Sequence, residues 1–255
     1  MIIALGSKSG VGKDTVGQII QYLIWKSKVE SGEYQGIHHT FDDFRRVGHI
    51  GGWQIKKFAD KTTQSFEIIT GINYHKLDRD EKEKIRPLYV DFAETNKKVF
   101  GEGIWVSSLF SEYKPLLHID NAPYKTAGIR VYETDPNWIV TDLRFSNEFK
   151  AVKDRGGITI RIDREENDLE KASNHAHNEL VKKYGSDEIL WNGENYKEEY
   201  QDEFNDLYDK YLNKSFHESE NALDNAIFDY HIDNSGTIEE LIEKVREILI
   251  ELKLI

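Results

Sequence analysis

The first 21 residues, MIIALGSKSGVGKDTVGQIIQ, constrain the fold of this chain more than any other stretch. An apolar run at positions 2–5 leads into a loop that contains three glycines, and apolar residues recur at helical spacing from Val16 onward. Lys13 and Thr15 stand at the start of that helical segment. A strand, a glycine loop, a lysine and a helix in this order are the arrangement of a phosphate-binding P-loop.

This loop predicts a cradle for a polyphosphate. Glycines allow backbone N–H groups to turn inward without Cβ clashes, and the following helix adds the positive end of its dipole. We expect Lys13 to reach the β- and γ-phosphates of a bound nucleotide. The residues predicted to hold the nucleotide are Gly10, Val11, Gly12, Lys13, Asp14 and Thr15. The alternative is a tight strand-to-helix turn with a structural role only.

The loop departs from the GxxxxGK[ST] pattern at two positions. Ser7 stands where the first glycine belongs, although Gly6 is beside it. Asp14 stands where a hydroxyl normally meets the metal, and Thr15 supplies a hydroxyl one position later. Asp14 and Thr15 are therefore both candidates for binding Mg²⁺.

The composition narrows the class of protein. A length of 255 residues suits one large α/β domain, and a net charge of −12 argues against polymeric nucleic acid as a partner, because its phosphates need clustered Lys and Arg. The chain has no cysteine, which excludes disulfides and thiolate metal sites. We identify neither a signal peptide nor an apolar run of membrane-spanning length. We therefore expect a cytoplasmic protein without a membrane partner.

Strand and helix signals alternate along the rest of the chain. The predicted strands cover residues 53–60, 138–142, 158–162 and 228–232, and the predicted helices cover 61–70, 86–100, 146–155 and 238–252. Residues 114–136 read as a loop with a short hairpin. The helix boundaries rest on Gly71 as a C-terminal cap, Arg86-Pro87 as a start, Ser146 or Asn147 as an N-cap, and a Thr237–Glu240 capping box.

Alternating strands and helices indicate a mostly parallel sheet that is covered on both faces. We predict an α/β fold of the P-loop NTPase type, with three α/β/α layers in a single domain over residues 1–255. Helical insertions are expected at about 26–50 and 165–215. The second carries a stripe of Tyr196, Tyr200, Phe204, Leu207, Tyr208 and Tyr211 at helical spacing. We expect one amphipathic helix packed on the body; a lid or an oligomer surface, where a homodimer contact would form, is the alternative.

Asp142 and two arginines are the other candidates for chemistry. Asp142 ends an apolar strand, which in a parallel sheet places it at the carboxyl edge beside the glycine loop. An acid there can hold Mg²⁺ directly or through water; a helix-capping or solvent-facing role is the alternative. Phosphoryl transfer needs cancellation of charge, and Arg144 and Arg86 are better placed for it than Arg161 and Arg164.

With these residues noted, the chain resembles the bacteriophage deoxynucleoside monophosphate kinases, a branch of the P-loop nucleoside monophosphate kinases. The motifs that carry the resemblance are spread over most of the chain. They are SGVGKDT at 9–15, KKFADK at 56–61, RPLYVDFAE at 86–94, GIWV at 103–106, VTDLRFSNE at 140–148, AVKDRGG at 151–157, HESENAL at 217–223 and IDNSGTIEEL at 232–241.

The resemblance implies that the γ-phosphoryl of ATP is transferred to a deoxynucleoside monophosphate with Mg²⁺ as the cofactor. It implies that Lys13 and Thr15 hold the donor phosphates and that Arg144 bridges the transferred group. It also implies a place near the acceptor nucleotide for Asp60, Arg86 and Trp105, and a place for Glu218 in a loop that closes the site. A phage origin would put the enzyme in the host cytoplasm.

Two other functions stay open at this stage. One is a different P-loop kinase that acts on a phosphorylated metabolite. The other is a nucleotide-binding protein that keeps the loop without transfer chemistry. The additional arginines favour catalysis, because a binding module does not need a charge clamp on a second substrate.

Overall fold

The computed structural model describes residues 1–8, 10–34, 40–47, 52–120, 130–164, 168–185, 190, 196–215 and 221–255. The strands within these residues are β1 (Ile2–Gly6), β2 (Trp53–Lys56), β3 (Leu116–Asp120), β4 (Arg130–Thr134), β5 (Asn137–Leu143), β6 (Ile158–Asp163) and β7 (Tyr230–Asp233). The helices are α1 (Lys13–Glu30), α2 (Phe41–Val47), α3 (Phe58–Thr70), α4 (Arg79–Phe100), α5 (Ile104–Phe110), α6 (Ser146–Lys153), α7 (Asp168–Tyr184), α8 (Glu198–Ser215) and α9 (Ile238–Glu251).

Five strands form a parallel sheet in the order β2-β5-β1-β6-β7. β1 is the central strand and all of its residues are buried. Ile2 pairs with Trp138 of β5, and Gly6 pairs with Arg161 of β6. The carboxyl ends of β1, β5 and β6 therefore lie side by side. Strands β3 and β4 form a separate antiparallel pair, as the predicted hairpin requires.

Helices cover both faces of the parallel sheet. Successive residues of β1 point to opposite faces, so Ile3 joins one hydrophobic core and Ala4 joins the other. The first core contains α1 and α9, and the second contains side chains of α3, α5 and α6. The predicted α/β class, with a parallel sheet between helical layers, is confirmed.

Several boundaries agree with the sequence signals. β6 begins at Ile158 as predicted. Gly71 caps α3 in the left-handed conformation with φ of +72°, which glycine adopts without strain. Thr237 and Glu240 form the predicted capping box of α9, because each side chain accepts a hydrogen bond from the other residue's backbone N–H.

The predicted start of the fourth helix at Arg86-Pro87 is wrong. α4 begins at Arg79 behind an Asp78–Glu81 capping box, and Pro87 lies inside it. The helix therefore begins seven residues before its predicted start. Packing of Tyr89 onto Phe66 beyond the proline holds α4 to α3.

Other boundaries also differ from the predictions. β2 ends at Lys56 rather than at residue 60, so Asp60 belongs to a helix and not to a strand end. The predicted Ser146 or Asn147 cap of α6 is wrong, since Phe145 occupies the N-cap position. In the first insertion, which was expected to be helical without specified bounds, α1 continues to Glu30 and α2 forms a short helix.

The second insertion is a pair of antiparallel helices. His175 stacks on Tyr211 while Tyr184 contacts Tyr200, so the contacts between α7 and α8 run in opposite directions along the two helices. The aromatic stripe of α8 packs on α7, with Leu180 at the centre of the small core. Packing of the stripe on the body of the domain was predicted, and this prediction is wrong. A part of the surface considered for a homodimer contact is thus covered within the same chain.

Candidate functional site

The crevice at the carboxyl ends of β1 and β5 is the candidate site. β1 is followed by α1 on one face of the sheet, and the adjacent β5 is followed by α6 on the other face. Loops that leave neighbouring parallel strands toward opposite faces open a crevice between them, which is where ligands bind in open α/β sheets. The glycine loop, residues 6–12, lies at this point.

The glycine loop is shaped by two left-handed glycines and one buried lysine. Gly10 and Gly12 have φ of +83° and +96°, and Gly12 is the N-cap of α1. The side chain of Lys13 is buried, and its Nζ donates hydrogen bonds to the carbonyl oxygens of Ser7, at 2.8 Å, and Lys8. An ammonium group is therefore held inside the turn at the N-terminus of a helix, where an anion is favoured.

Residues far along the chain brace the loop. Asn234 Nδ2 donates to the carbonyl oxygen of Val11 at 2.8 Å, and a Cβ on Gly12 would lie 2.5 Å from the same nitrogen. A Cβ on Gly6 would lie 2.7 Å from the ring of Phe228. Gly6 is thus required by packing at the sheet edge, although the GxxxxGK[ST] count puts Ser7 at the glycine position.

Asp14, in the first turn of α1, forms an ion pair with Lys57 and a hydrogen bond with Thr141. Lys57 Nζ lies 2.8 Å from Oδ1 of Asp14, and Thr141 Oγ1 donates to the same oxygen at 2.6 Å. Burial opposes ionisation of Asp14, but the hydrogen bonds and charges of its partners outweigh it and lower the pKa of the carboxyl group. The half-buried hydroxyl of Thr15 makes no hydrogen bond within the described part of the chain.

Asp142 lies at the crevice, as predicted, but both of its oxygens are engaged. Oδ1 accepts from the backbone N–H of Phe58 and Oδ2 from that of Ala59, each at 2.9 Å. The carboxylate therefore satisfies the first turn of α3. Burial raises the pKa of Asp142, against the lowering effect of these amides and of the Arg144 charge. The helix-capping role, weighed as the alternative, is present in the structure.

Glu148 is a buried acid that the sequence analysis did not single out. Its Oε2 accepts hydrogen bonds from the backbone N–H groups of Arg144, at 2.8 Å, and Phe145, at 3.0 Å. Burial and the nearby Asp142 charge raise the pKa of Glu148 to about 7. The acid thus fixes the backbone that carries Arg144 at the end of β5.

A cleft joins Arg144 to the glycine loop. It is lined by Ser7, Lys8, Arg144, Arg161, Leu223, Asp224 and Phe228. Arg161 was ranked below Arg86 on sequence grounds, yet it lies in this cleft. Its guanidinium donates to Asp163 at 2.9 Å and to the carbonyl oxygen of Leu223 at 3.2 Å, which holds residues 221–224 against the end of β6.

Asp60 and Trp105 lie on the face of the sheet that carries α3 and α5. The negative charge of Asp60 contributes to raising the pKa of both Asp142 and Tyr89, so Asp60 lies near the crevice and near α4. Tyr89 contacts the Thr63 hydroxyl at 3.0 Å. Trp105 lies beside Phe92, and its buried Nε1 has no hydrogen-bond partner among the residues that the structure describes.

Arg86 does not lie at the helix N-terminus that the sequence predicted for it. Arg86 is exposed in the interior of α4, not at a helix N-terminus, and pairs with Glu83 at 3.8 Å. The helix-dipole argument for a phosphate at Arg86 is therefore wrong. Glu218 lies outside the described residues, so its predicted place in a closing loop stays a prediction.

The crevice contains oxygen ligands of the kind that Mg²⁺ takes. Mg²⁺ keeps several waters and takes one or two protein ligands. The Thr15 hydroxyl suits a direct ligand, and Asp142, whose oxygens already accept amide hydrogen bonds, suits a partner of a metal-bound water. Asp14 is occupied by Lys57. Over the described ranges, no three His, Asp or Glu side chains group as they would in an all-protein metal site.

These features define an α/β protein with a parallel sheet and a glycine loop at its topological switch point. No protein-family model matches the chain, and no curated protein is similar enough to count as a relative. No helix within the described residues has both the length and the apolar character that crossing a membrane requires.

Four residues at the crevice received no role from the sequence. Lys57 and Thr141 lie inside the motifs KKFADK and VTDLRFSNE, next to residues that did receive one. Asn234 stood in a turn sequence, and Glu148 stood at the third position of a helix, where a capping acid is common. Only the last of these carried a local signal that was sufficient to find it.

Proposed function

We propose that this protein is a deoxynucleoside monophosphate kinase, which transfers the γ-phosphoryl of ATP to a dNMP and yields dNDP and ADP. The observation that carries the proposal is the buried Lys13 ammonium inside a glycine loop at the switch point of a parallel sheet. The motifs named above, from SGVGKDT to IDNSGTIEEL, support the choice of acceptor.

The donor half of the site is the glycine loop with the first turn of α1. The amides of residues 10–15 and the ammonium of Lys13 would bind the phosphates of ATP, and Thr15 and Asp142 would hold Mg²⁺. The bound ion supplies neutralisation of charge on the β- and γ-phosphates. When ATP binds, Lys13 would exchange its carbonyl partners for phosphate oxygens, which are stronger acceptors because they are charged.

The acceptor half of the site would extend from the cleft toward α3 and α4. Arg144, fixed by the amide bonds to Glu148, would stabilise the charge on the transferred phosphoryl group. The aromatic rings on this face of the sheet, with Tyr89 and Trp105 among them, would form an apolar wall beside the nucleobase. Asp60 is a further residue that the resemblance places near the acceptor nucleotide. Arg86 lies three residues before Tyr89 on α4, and the resemblance gives it a place near the same substrate.

The test is ADP release from ATP and Mg²⁺ in the presence of each dNMP and NMP in turn. We expect stimulation by at least one deoxynucleoside monophosphate and loss of turnover in Lys13→Ala. Lys26→Ala is a matched control, because it makes the same change on α1 at a lysine that pairs with Glu30 at 3.9 Å. Thermal melting checks that both variants are folded.

Two results would overturn the proposal. Turnover in Lys13→Ala equal to that of the Lys26→Ala control would remove the donor assignment. ATP binding without stimulation by any monophosphate would instead favour a nucleotide-binding protein without transfer chemistry, or a kinase for another phosphorylated metabolite.

A further inference from the structure

Lys57 joins two helix N-termini at the crevice. Its Nζ lies 2.8 Å from Oδ1 and 2.9 Å from Oδ2 of Asp14. Asp14 belongs to the first turn of α1, and Lys57 is the N-cap residue of α3. Thr141 of β5 donates to Asp14 as well, at 2.6 Å. The acid beside the buried Lys13 thus has a cationic partner from a segment 43 positions away in sequence.

Folding stability does not account for this ion pair. The side chains of Lys57 and Asp14 are 34% and 62% exposed, and water screens such pairs so well that they contribute little to stability. The hydrogen bond from Thr141 orients Asp14 without any charge. The Lys57–Asp14 pair therefore matters for the electrostatics of the neighbouring glycine loop rather than for folding stability.

The charge of Asp14 matters when an anion binds at this helix end. A carboxylate in the first turn of α1 interacts favourably with the helix dipole, but it also repels a phosphate at the same N-terminus. The Lys57 ammonium lies within 3 Å of both oxygens of Asp14, which is the arrangement of an ammonium paired with a carboxylate. Without a cationic partner, Asp14 would oppose every negative charge brought to the loop.

We propose that Lys57 is a positioning residue of the donor-phosphate site, which cancels the charge of Asp14 and holds the N-terminus of α3 against that of α1. This inference rests on the proposed function, because it requires a polyphosphate at the glycine loop. It gives a physical reason for the tolerance of an acid at a position where the GxxxxGK[ST] pattern has a hydroxyl.

The test is a double-mutant cycle on nucleotide binding to the full chain. ATP without metal and MgATP are titrated calorimetrically into the wild type, Lys57→Met, Asp14→Asn and the double variant. We expect about tenfold weaker binding of both ligands to Lys57→Met, the effect of one uncompensated charge near a polyanion in a solvent-exposed site. The double variant should return to within about twofold of the wild type, because the charge that Lys57 cancels is absent.

Two controls separate this electrostatic effect from a structural one: binding at high salt, and the same substitution at the neighbouring lysine. The loss in Lys57→Met should shrink at about 0.5 M salt, where charges of exposed groups are screened over a few ångströms. Lys56→Met is the matched control, because it removes the same charge from the adjacent residue, which pairs with Glu112 at 3.5 Å. We expect Lys56→Met to bind both ligands as the wild type does.

Three outcomes would overturn the inference. Lys57→Met could bind no more weakly than Lys56→Met, or its loss could persist in the Asp14→Asn background. Asp14→Asn alone could weaken MgATP without weakening metal-free ATP, which would make Asp14 a metal ligand. A wild type that binds neither form of ATP would refute the donor site itself, and so would be distinguished from a failure of Lys57 alone.

Discussion

Glu148→Gln tests whether the buried acid behind Arg144 makes stability depend on pH. Glu148 is 8% exposed, and burial with the Asp142 charge raises its pKa from 4.5 to about 7. The folded protein therefore binds more protons than the unfolded chain between these two pH values. The resulting stabilisation is fully present below about pH 4.5 and is lost as the pH rises through 7.

The size of the effect follows from the shift. At about 1.4 kcal/mol per pKa unit, a change from 4.5 to about 7 corresponds to about 3 kcal/mol of unfolding free energy. Glutamine keeps an oxygen that can accept from the backbone N–H groups of Arg144 and Phe145, but it never ionises. We expect the variant to match the wild type near pH 4.5 and to exceed it by about 3 kcal/mol at pH 8.

Urea unfolding of both proteins in metal-free buffer, at steps between pH 4.5 and 8, measures this difference. Glu240→Gln is the matched control, because it makes the same substitution in the exposed capping box of α9, where Glu240 accepts from Thr237 N–H at 2.9 Å. A wild-type-minus-variant difference that stays constant over the pH range would refute the reasoning. So would an equal pH dependence in the control.

Two further substitutions probe the crevice. If the Arg144 guanidinium stabilises the transferred phosphoryl, Arg144→Ala should lower kcat about 10²- to 10³-fold with little change in the melting temperature. The control Arg155→Ala, beyond the far end of α6, should leave kcat unchanged. A lower melting temperature without a loss of kcat in Arg144→Ala would make Arg144 a structural residue. Gly6→Ala should destabilise the fold by about 1–3 kcal/mol in urea unfolding, because the new Cβ would lie 2.7 Å from the buried Phe228 ring. A Cβ on Gly103 would meet no heavy atom within 4 Å, so Gly103→Ala should cost less, only the loss of a favourable N-cap residue of α5.

The central sheet could be predicted because its signals are local. The apolar run of β1, the alternation of β6 and the Thr237–Glu240 box each depend on a few consecutive residues, and the structure confirms them. α4 was placed wrongly although Asp78 and Glu81 carry a capping-box pattern. The proline at 87 was taken as a helix start, but contacts made beyond it, such as that of Tyr89 with Thr63, hold the helix through the proline.

The partners within the candidate site could not be predicted, because they depend on strand order. Lys57 reaches Asp14 only because β2 and β5 are neighbours and α3 begins beside α1. Arg161 meets Leu223 because β6 pairs with β7, and Leu223 lies in the segment that leads into β7. A period or a spacing in the sequence carries no information on which carboxyl ends are adjacent. The residue types at the crevice were therefore predictable, while their pairing was not.

The arrangement of charges at the crevice bears on how an acidic chain could bind the proposed anionic ligand. A net charge of −12 would repel a nucleotide if the acids at the site were free. Each of three acids is offset in a different way: Asp14 by the Lys57 ammonium, Asp142 by two backbone amides, and Glu148 by a raised pKa that leaves it largely protonated below about 7. The positive charges of Lys13 and Arg144 are then available to an anion at the crevice. The Asp14 carboxylate, at a position where the GxxxxGK[ST] pattern has a hydroxyl, is thus compatible with phosphate binding because Lys57 pairs with it.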